Sequence, residues 1–231
     1  MRIFFVLVSF ILLSSISAQK TLEGGVLGGG LYYLGDVNPS THFYNVQPGV
    51  GVFFRENLNK RWAIRVNVLA GTLAADDQHS NYSYQQTRAA SFNTPVIEIN
   101  GQAEFNFLAY KLGSERYTSP FTPYFATGMG FVLASNSNQP YNIFIPLSVG
   151  FKLSVTSKLE IGVEYSYRKV FSDKLDNLSG QEYNLQTLKV PSKNKYKQNA
   201  FYYDQDWYVY TGLFITYKIF QSGSECKAYD Y

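Results

Sequence analysis

The sequence predicts an all-β protein, an eight-stranded antiparallel transmembrane β-barrel of the outer membrane with a polar, side-chain-filled lumen. Three observations carry this reading. Eight segments alternate apolar with polar residues at a period of two. The links between them are sorted, long on one side and short on the other. The chain is rich in Tyr, Phe and Gly, with 20, 18 and 18 copies, and only 16% charged, a composition suited to strands and to interfacial aromatic girdles.

The chain opens with Arg2, an apolar run over residues 3–13 broken only by Ser9, and the small polar stretch "SSISAQ". These read as the charged, hydrophobic and cleavage regions of a secretory signal peptide, residues 1–18, cut after Ala18. The run falls short of the roughly 20 residues that a spanning helix needs. No Cys follows it, so a lipoprotein is not expected. Removing these 18 of 231 residues leaves 19 Lys and Arg against 17 Asp and Glu, a formal charge of +2. So small a balance, with no basic cluster, argues against a nucleic-acid partner. Length points to one domain, with residues 19–220 as the barrel and 221–231 as a tail. The single cysteine, Cys226, excludes an internal disulfide framework.

The first strand, 22–34, is glycine-rich, and Gly lets a small barrel bend tightly or fit a bulky inward neighbour. The second covers 47–56. In the third, 61–74, Trp62, Ile64, Val66, Val68 and Ala70 alternate with Ala63, Arg65, Asn67 and Leu69. The fourth, 91–108, sets Ile97, Ile99, Gly101, Ala103, Phe105 and Phe107 against Glu98, Asn100, Gln102, Glu104 and Asn106. The fifth and sixth cover 121–135 and 143–155. The seventh, 159–171, is the clearest: Leu159, Ile161, Val163, Tyr165 and Tyr167 against Glu160, Gly162, Glu164, Ser166 and Arg168. The eighth, 207–220, places Trp207, Val209, Leu213, Ile215 and Tyr217 opposite Tyr208, Tyr210, Gly212, Phe214, Thr216 and Lys218. No repeat of 20–50 residues accompanies them.

Alternation alone does not say which face is outside. The links do. "NLNK", "YKLGSERYTSP" and "TSK" follow the second, fourth and sixth strands, whereas 35–46, 76–90, 136–142 and 172–206 are mostly long and polar. Outer-membrane barrels sort extracellular loops from periplasmic turns in this way, so the apolar face meets lipid, the charged face lines the lumen, and both termini are periplasmic. The inward set then holds Arg55, Arg65, Lys152, Arg168 and Lys218 against Glu98, Glu104, Glu160 and Glu164. An eight-stranded interior is only wide enough for side chains, and unpaired buried charge costs several kcal/mol. These residues therefore read as a structural ion-pair plug rather than a conduction path.

Candidate chemistry is sparse. His42 and His79 fall in long loops, and "AADDQHS" brings Asp76, Asp77, His79 and Ser80 together in sequence. Such residues are ordinary in polar loops, and the expectation is that the protein is not an enzyme. Two His and one distant Cys match no metal-ligand spacing, and "GGVLGGGLYYLGD" is no phosphate cradle because no helix follows it. No cofactor is expected. Cys226, in an exported chain, suggests an intermolecular bond or a free thiol; with Lys227 and Tyr229 it forms a candidate partner-binding tail, and the turn 111–120 is the next candidate.

The stretches "GGGLYYLGDVNP" and "FFRENLNKRWAIRVNV", then "EFNFLAYKLGSERYTSPFTPYFATGMG", "PLSVGFK", "EYSYRKVFSDKLDN" and "DWYVYTGLFITYK", resemble in order and spacing the PorG family of barrels found with the type IX secretion system of Bacteroidetes. The resemblance spans nearly the whole mature chain except 172–206 and the tail after Phe220. It implies a non-enzymatic role: holding the periplasmic PorK/PorN ring (GldK/GldN in gliding relatives) to the outer membrane, in support of protein export to the cell surface and of gliding where present. The alternative is a surface adhesin, or a lipid- or peptide-modifying enzyme, working through loops 76–90 and 172–206.

Overall fold

A computed structural model describes residues 21–35, 41–76, 91–110, 118–135, 140–171 and 207–221. Eight strands follow one another: β1 (Thr21–Leu34), β2 (Gln47–Asn57), β3 (Trp62–Asp76), β4 (Ser91–Asn106), β5 (Phe121–Ala134), β6 (Tyr141–Ser154), β7 (Leu159–Val170) and β8 (Trp207–Gln221). Every end lies within two residues of the sequence expectation. Residues 1–18, read from the sequence as a signal peptide, and the tail after 221 lie outside the described residues.

Each strand pairs antiparallel with its neighbours in the chain, and β1 pairs with β8 to close the barrel. Closure leaves no strand edge unpaired, the condition for placing strands in hydrocarbon, where no water can satisfy a backbone group. Tight turns join β2 to β3 and β6 to β7; in the first, the Asn59 side chain accepts from the backbone N–H groups of Arg61 and Trp62 at 2.8 and 2.9 Å.

The two faces differ in kind. Val66, Ile99, Phe131, Val149, Val163 and Ile215 lie exposed on the outside. Among the described strand residues, the charged ones at outward positions are Glu56, Asp76 and Lys169, all at strand ends. Near the tight turns, Trp62 packs on Phe105 with centroids 4.9 Å apart and Phe121 stacks on Phe151 at 5.7 Å, an interfacial girdle. A closed sheet with an apolar belt outside and charge inside is the architecture of an outer-membrane barrel.

Candidate functional site

The lumen collects most of the charge of the described strands. All nine charged residues that the sequence places inward are buried, and Glu23 joins them. The interior thus balances five carboxylates, Glu23, Glu98, Glu104, Glu160 and Glu164, against Arg55, Arg65, Arg168, Lys152 and Lys218. Glu23 is hard to see in the sequence because the alternation of β1 mixes Leu27 and Leu31 on its inward side with glycines on its outward side.

The charges are layered along the axis. Nearest the tight turns, Arg55 Nη1 donates to Glu23 at 3.0 Å and to Glu160 at 2.5 Å, with Glu104 3.3 Å from its Nε. Lys152 donates to the other oxygen of Glu104. In the middle, Arg65 donates to Glu164 and to the Gln102 carbonyl, both at 2.6 Å, while the Tyr124 hydroxyl also donates to Glu164 at 2.6 Å. Above that, Glu98 accepts from Arg168 Nε at 3.0 Å and from the Tyr208 hydroxyl at 2.6 Å, and Asn67 donates to Asn100 at 2.7 Å. Aromatic rings fill the space between layers: the Arg55 guanidinium stands 5.2 and 5.5 Å from the centroids of Phe53 and Phe214.

Glycine makes the room. A Cβ on Gly162 would come within 2.3 Å of the Phe214 ring, and one on Gly150 within 2.6 Å of the Tyr124 ring. The spacing of Glu160, Glu164 and Arg168, with only Gly162 and Ser166 at the inward positions between them, is therefore a packing requirement: large charged groups alternate with gaps that rings from other strands occupy.

Both ends are stopped. Toward the long loops, Leu31, Leu69, Leu73, Val96, Val132, Phe144 and Val170 form an apolar cluster inside the barrel, so charge occupies the remaining depth rather than the full height. At the other end, Tyr110 from the connection between β4 and β5 is buried under the mouth. Its ring receives Lys152 Nζ at 5.1 Å and Lys218 Nζ at 5.9 Å, and its N–H donates to the Lys60 carbonyl at 3.0 Å. Burial raises the Tyr110 phenol well above its usual pKa. No sequence pattern marks Tyr110 as a plug, because its role depends on how a connection folds across a barrel mouth.

Of the loop residues weighed for chemistry, His42 and Asp76 are among the described residues. His42 lies against the outer wall, its Nδ1 3.2 Å from the Tyr32 hydroxyl and 3.3 Å from that of Tyr165. Asp76 ends β3, where its carbonyl accepts from Tyr44 at 2.9 Å; Asp77, His79 and Ser80 lie outside the described residues. So do Cys226, Lys227 and Tyr229. Val209, an outward position in β8, is fully buried between its sheet partners Tyr32 and Tyr167. Among the described residues, no three His, Cys, Asp or Glu side chains are placed to hold a metal ion.

The N-terminal β-barrel domain of Pseudomonas aeruginosa OprF is similar over 86% of this chain and 99% of its own, at 9% identity and a TM-score of 0.44. Neisserial surface protein A gives 86% and 96%, 10% identity and 0.47. Ail, the attachment invasion locus protein of Yersinia pestis, in complex with the heparin analogue sucrose octasulfate, gives 87% and 100%, 10% and 0.40. No curated protein matches the chain. A family model described as "Domain of unknown function (DUF6089)" matches residues 1–228.

Proposed function

From the premise that this chain belongs to the DUF6089 family, we propose that it is an outer-membrane barrel subunit of the type IX secretion system. In this reading it anchors the periplasmic PorK/PorN (GldK/GldN) ring to the membrane and supports export to the cell surface, with gliding where present. The resemblance of its ordered motifs to the PorG family supports the reading. The observation that carries it is the filled lumen: among the described residues, paired charges, an apolar cluster above and Tyr110 below occupy the interior. What such a barrel offers a machine is a fixed body in the membrane with surfaces at its ends. No nucleophile, base or metal site enters the role.

The sorting of link lengths, long on one side and short on the other, supports a periplasmic side for both termini, the side of the ring in this reading. There the connection through 111–120 is held at its flanks, with Ser119 N donating to the Ala109 carbonyl at 2.8 Å and Ser154 N to the Pro120 carbonyl at 2.7 Å. The tail bearing Cys226, Lys227 and Tyr229 is the first contact proposed, and this connection the second. Affinity isolation from cross-linked native outer membranes is expected to bring the ring proteins, and deletion of the gene to abolish surface-protein export. Unimpaired export in the deletion strain would sink the reading, and an adhesin would bring no ring proteins.

A further inference from the structure

One stretch of the outward wall departs from the apolar belt. On adjacent β7, β8 and β1, the hydroxyls of Tyr32 and Tyr165 share a hydrogen bond at 2.7 Å, Tyr167 adds a third hydroxyl at 3.3 Å from Tyr165, and His42 approaches both Tyr32 and Tyr165. His42 and Phe43 come from the link between β1 and β2, whose residues 42 and 43 pack against the outward Tyr32 and Tyr165. Phe43 packs on the Tyr32 ring at 5.3 Å, and Val46 sits where a Cβ of Gly30 would be. Phe43 and Asn45 hold φ of 60° and 49°, a region that a bulky residue avoids unless its surroundings impose it. Phe43 nevertheless remains 58% exposed, an apolar ring held out beside the wall.

Directly below, a groove of about 520 Å³ runs between β6, β7 and β8, lined on its outer side by Val149, Phe151, Val163, Tyr165, Thr211 and Leu213. Above it stands Lys169, its Nζ 5.3 Å from the Trp207 ring. Among the described residues, β7, β8 and β1 place no Asp or Glu at an outward position. The corner thus joins an apolar furrow to a head of one ammonium, one imidazole and the phenols of Tyr165 and Tyr167, with the buried Tyr32 behind them. An aromatic girdle supplies rings; it does not require a loop bent back on the wall.

We propose that this corner binds an anionic, phosphate-bearing membrane lipid. An acyl chain lies in the groove, and the phosphate meets Lys169 and His42, with the Tyr167 hydroxyl, which accepts from Tyr165, donating to one of its oxygens. The proposal uses only the membrane-barrel architecture and stands apart from the secretion reading. Lys beside an anionic lipid surface contributes on the order of a fivefold preference over a neutral head.

The test uses the full chain refolded into bilayers with Trp62→Phe, which leaves Trp207 as the one tryptophan of the two in the sequence. Quenching of Trp207 by lipids with brominated acyl chains is compared for phosphatidylglycerol and phosphatidylcholine. About fivefold stronger association of the anionic lipid is expected, falling to parity in Lys169→Gln, reduced in His42→Ala and unchanged in Lys158→Gln at the opposite end. Heat-modifiable migration on gels checks that each variant is folded, and Tyr165→Phe replaces either one that is not. Equal quenching by the two lipids, or a preference left undiminished by either substitution, overturns the proposal.

Discussion

Arg55 and Arg65 stand opposite each other in the β2–β3 ladder, two like charges side by side, and each reaches across the lumen to a different carboxylate of β7. Arg55 takes Glu160 and Arg65 takes Glu164. Directly opposed like charges destabilise a strand pair, and the fourfold spacing of the two glutamates resolves the conflict. The interior is held by ties across its width as well as by the ladder around its wall.

Removing one partner should therefore cost more than removing both. Arg65→Ala leaves Glu164 buried with its remaining partner Tyr124, and a loss of about 3–5 kcal/mol is expected for such a broken pair. Arg65→Met combined with Glu164→Gln should recover most of it. Urea titration of reversible folding in detergent or lipid checks the order, and equal losses in the single and double variants would refute the tie.

The outward face has a depth profile. Arg at Val66 or Val163, mid-strand and exposed to lipid, is expected to cost roughly 2–4 kcal/mol, and at Leu153, near the tight-turn interface, about 0–1 kcal/mol. Folding into vesicles measures both. Equal costs at the two depths would mean that the belt is not the membrane-facing surface.

Tyr110 gives a pH dependence outside the strands. Its phenol is raised by burial, while an unfolded tyrosine ionises near pH 10. A group raised in the folded state contributes stability that is complete below the unfolded pKa and is lost as pH climbs toward the folded one. Wild-type stability should thus fall more steeply above about pH 10 than that of Tyr110→Phe, which keeps the ring beside Lys152 and Lys218. Parallel pH curves for the two proteins would argue against a buried phenol at the mouth.

Cys226 provides a covalent readout of the proposed ring contact. In an oxidising compartment an odd thiol tends to find a partner, so non-reducing electrophoresis of native envelopes should show a higher-mass band that disappears in Cys226→Ser. If no such band forms, and deleting 221–231 leaves ring association intact, the contact belongs to the connection through 111–120.

Most of the barrel was legible because its strands obey one rule. In β7 the lipid-facing and lumen-facing residues separate without exception from Leu159 to Arg168, and the sorting of loop lengths then chose the outside. Glu23 escaped because the glycines of β1 carry no polarity to alternate. Tyr110 and the Tyr32–His42 cluster escaped for another reason: both depend on where a link folds against the finished wall, and a link has no periodicity to read. The apolar cap was hidden because Leu69, Val96 and Val132 occupy the same inward register as Arg65, Glu98 and Asn100, at a different height.

The seam between β1 and β8 sets the order of assembly. It joins Thr21 to Gln221, roughly two hundred residues apart, the kind of distant pairing that slows folding most. Until the last strand has been made and delivered, β1 has only one neighbour and the charged interior has one wall missing. A chain stopped short of β8 would carry two raw edges and exposed ionic side chains, unfit for hydrocarbon and prone to pair with another copy. Insertion must therefore be a late, nearly all-or-none event, and a half-made molecule is better degraded than admitted.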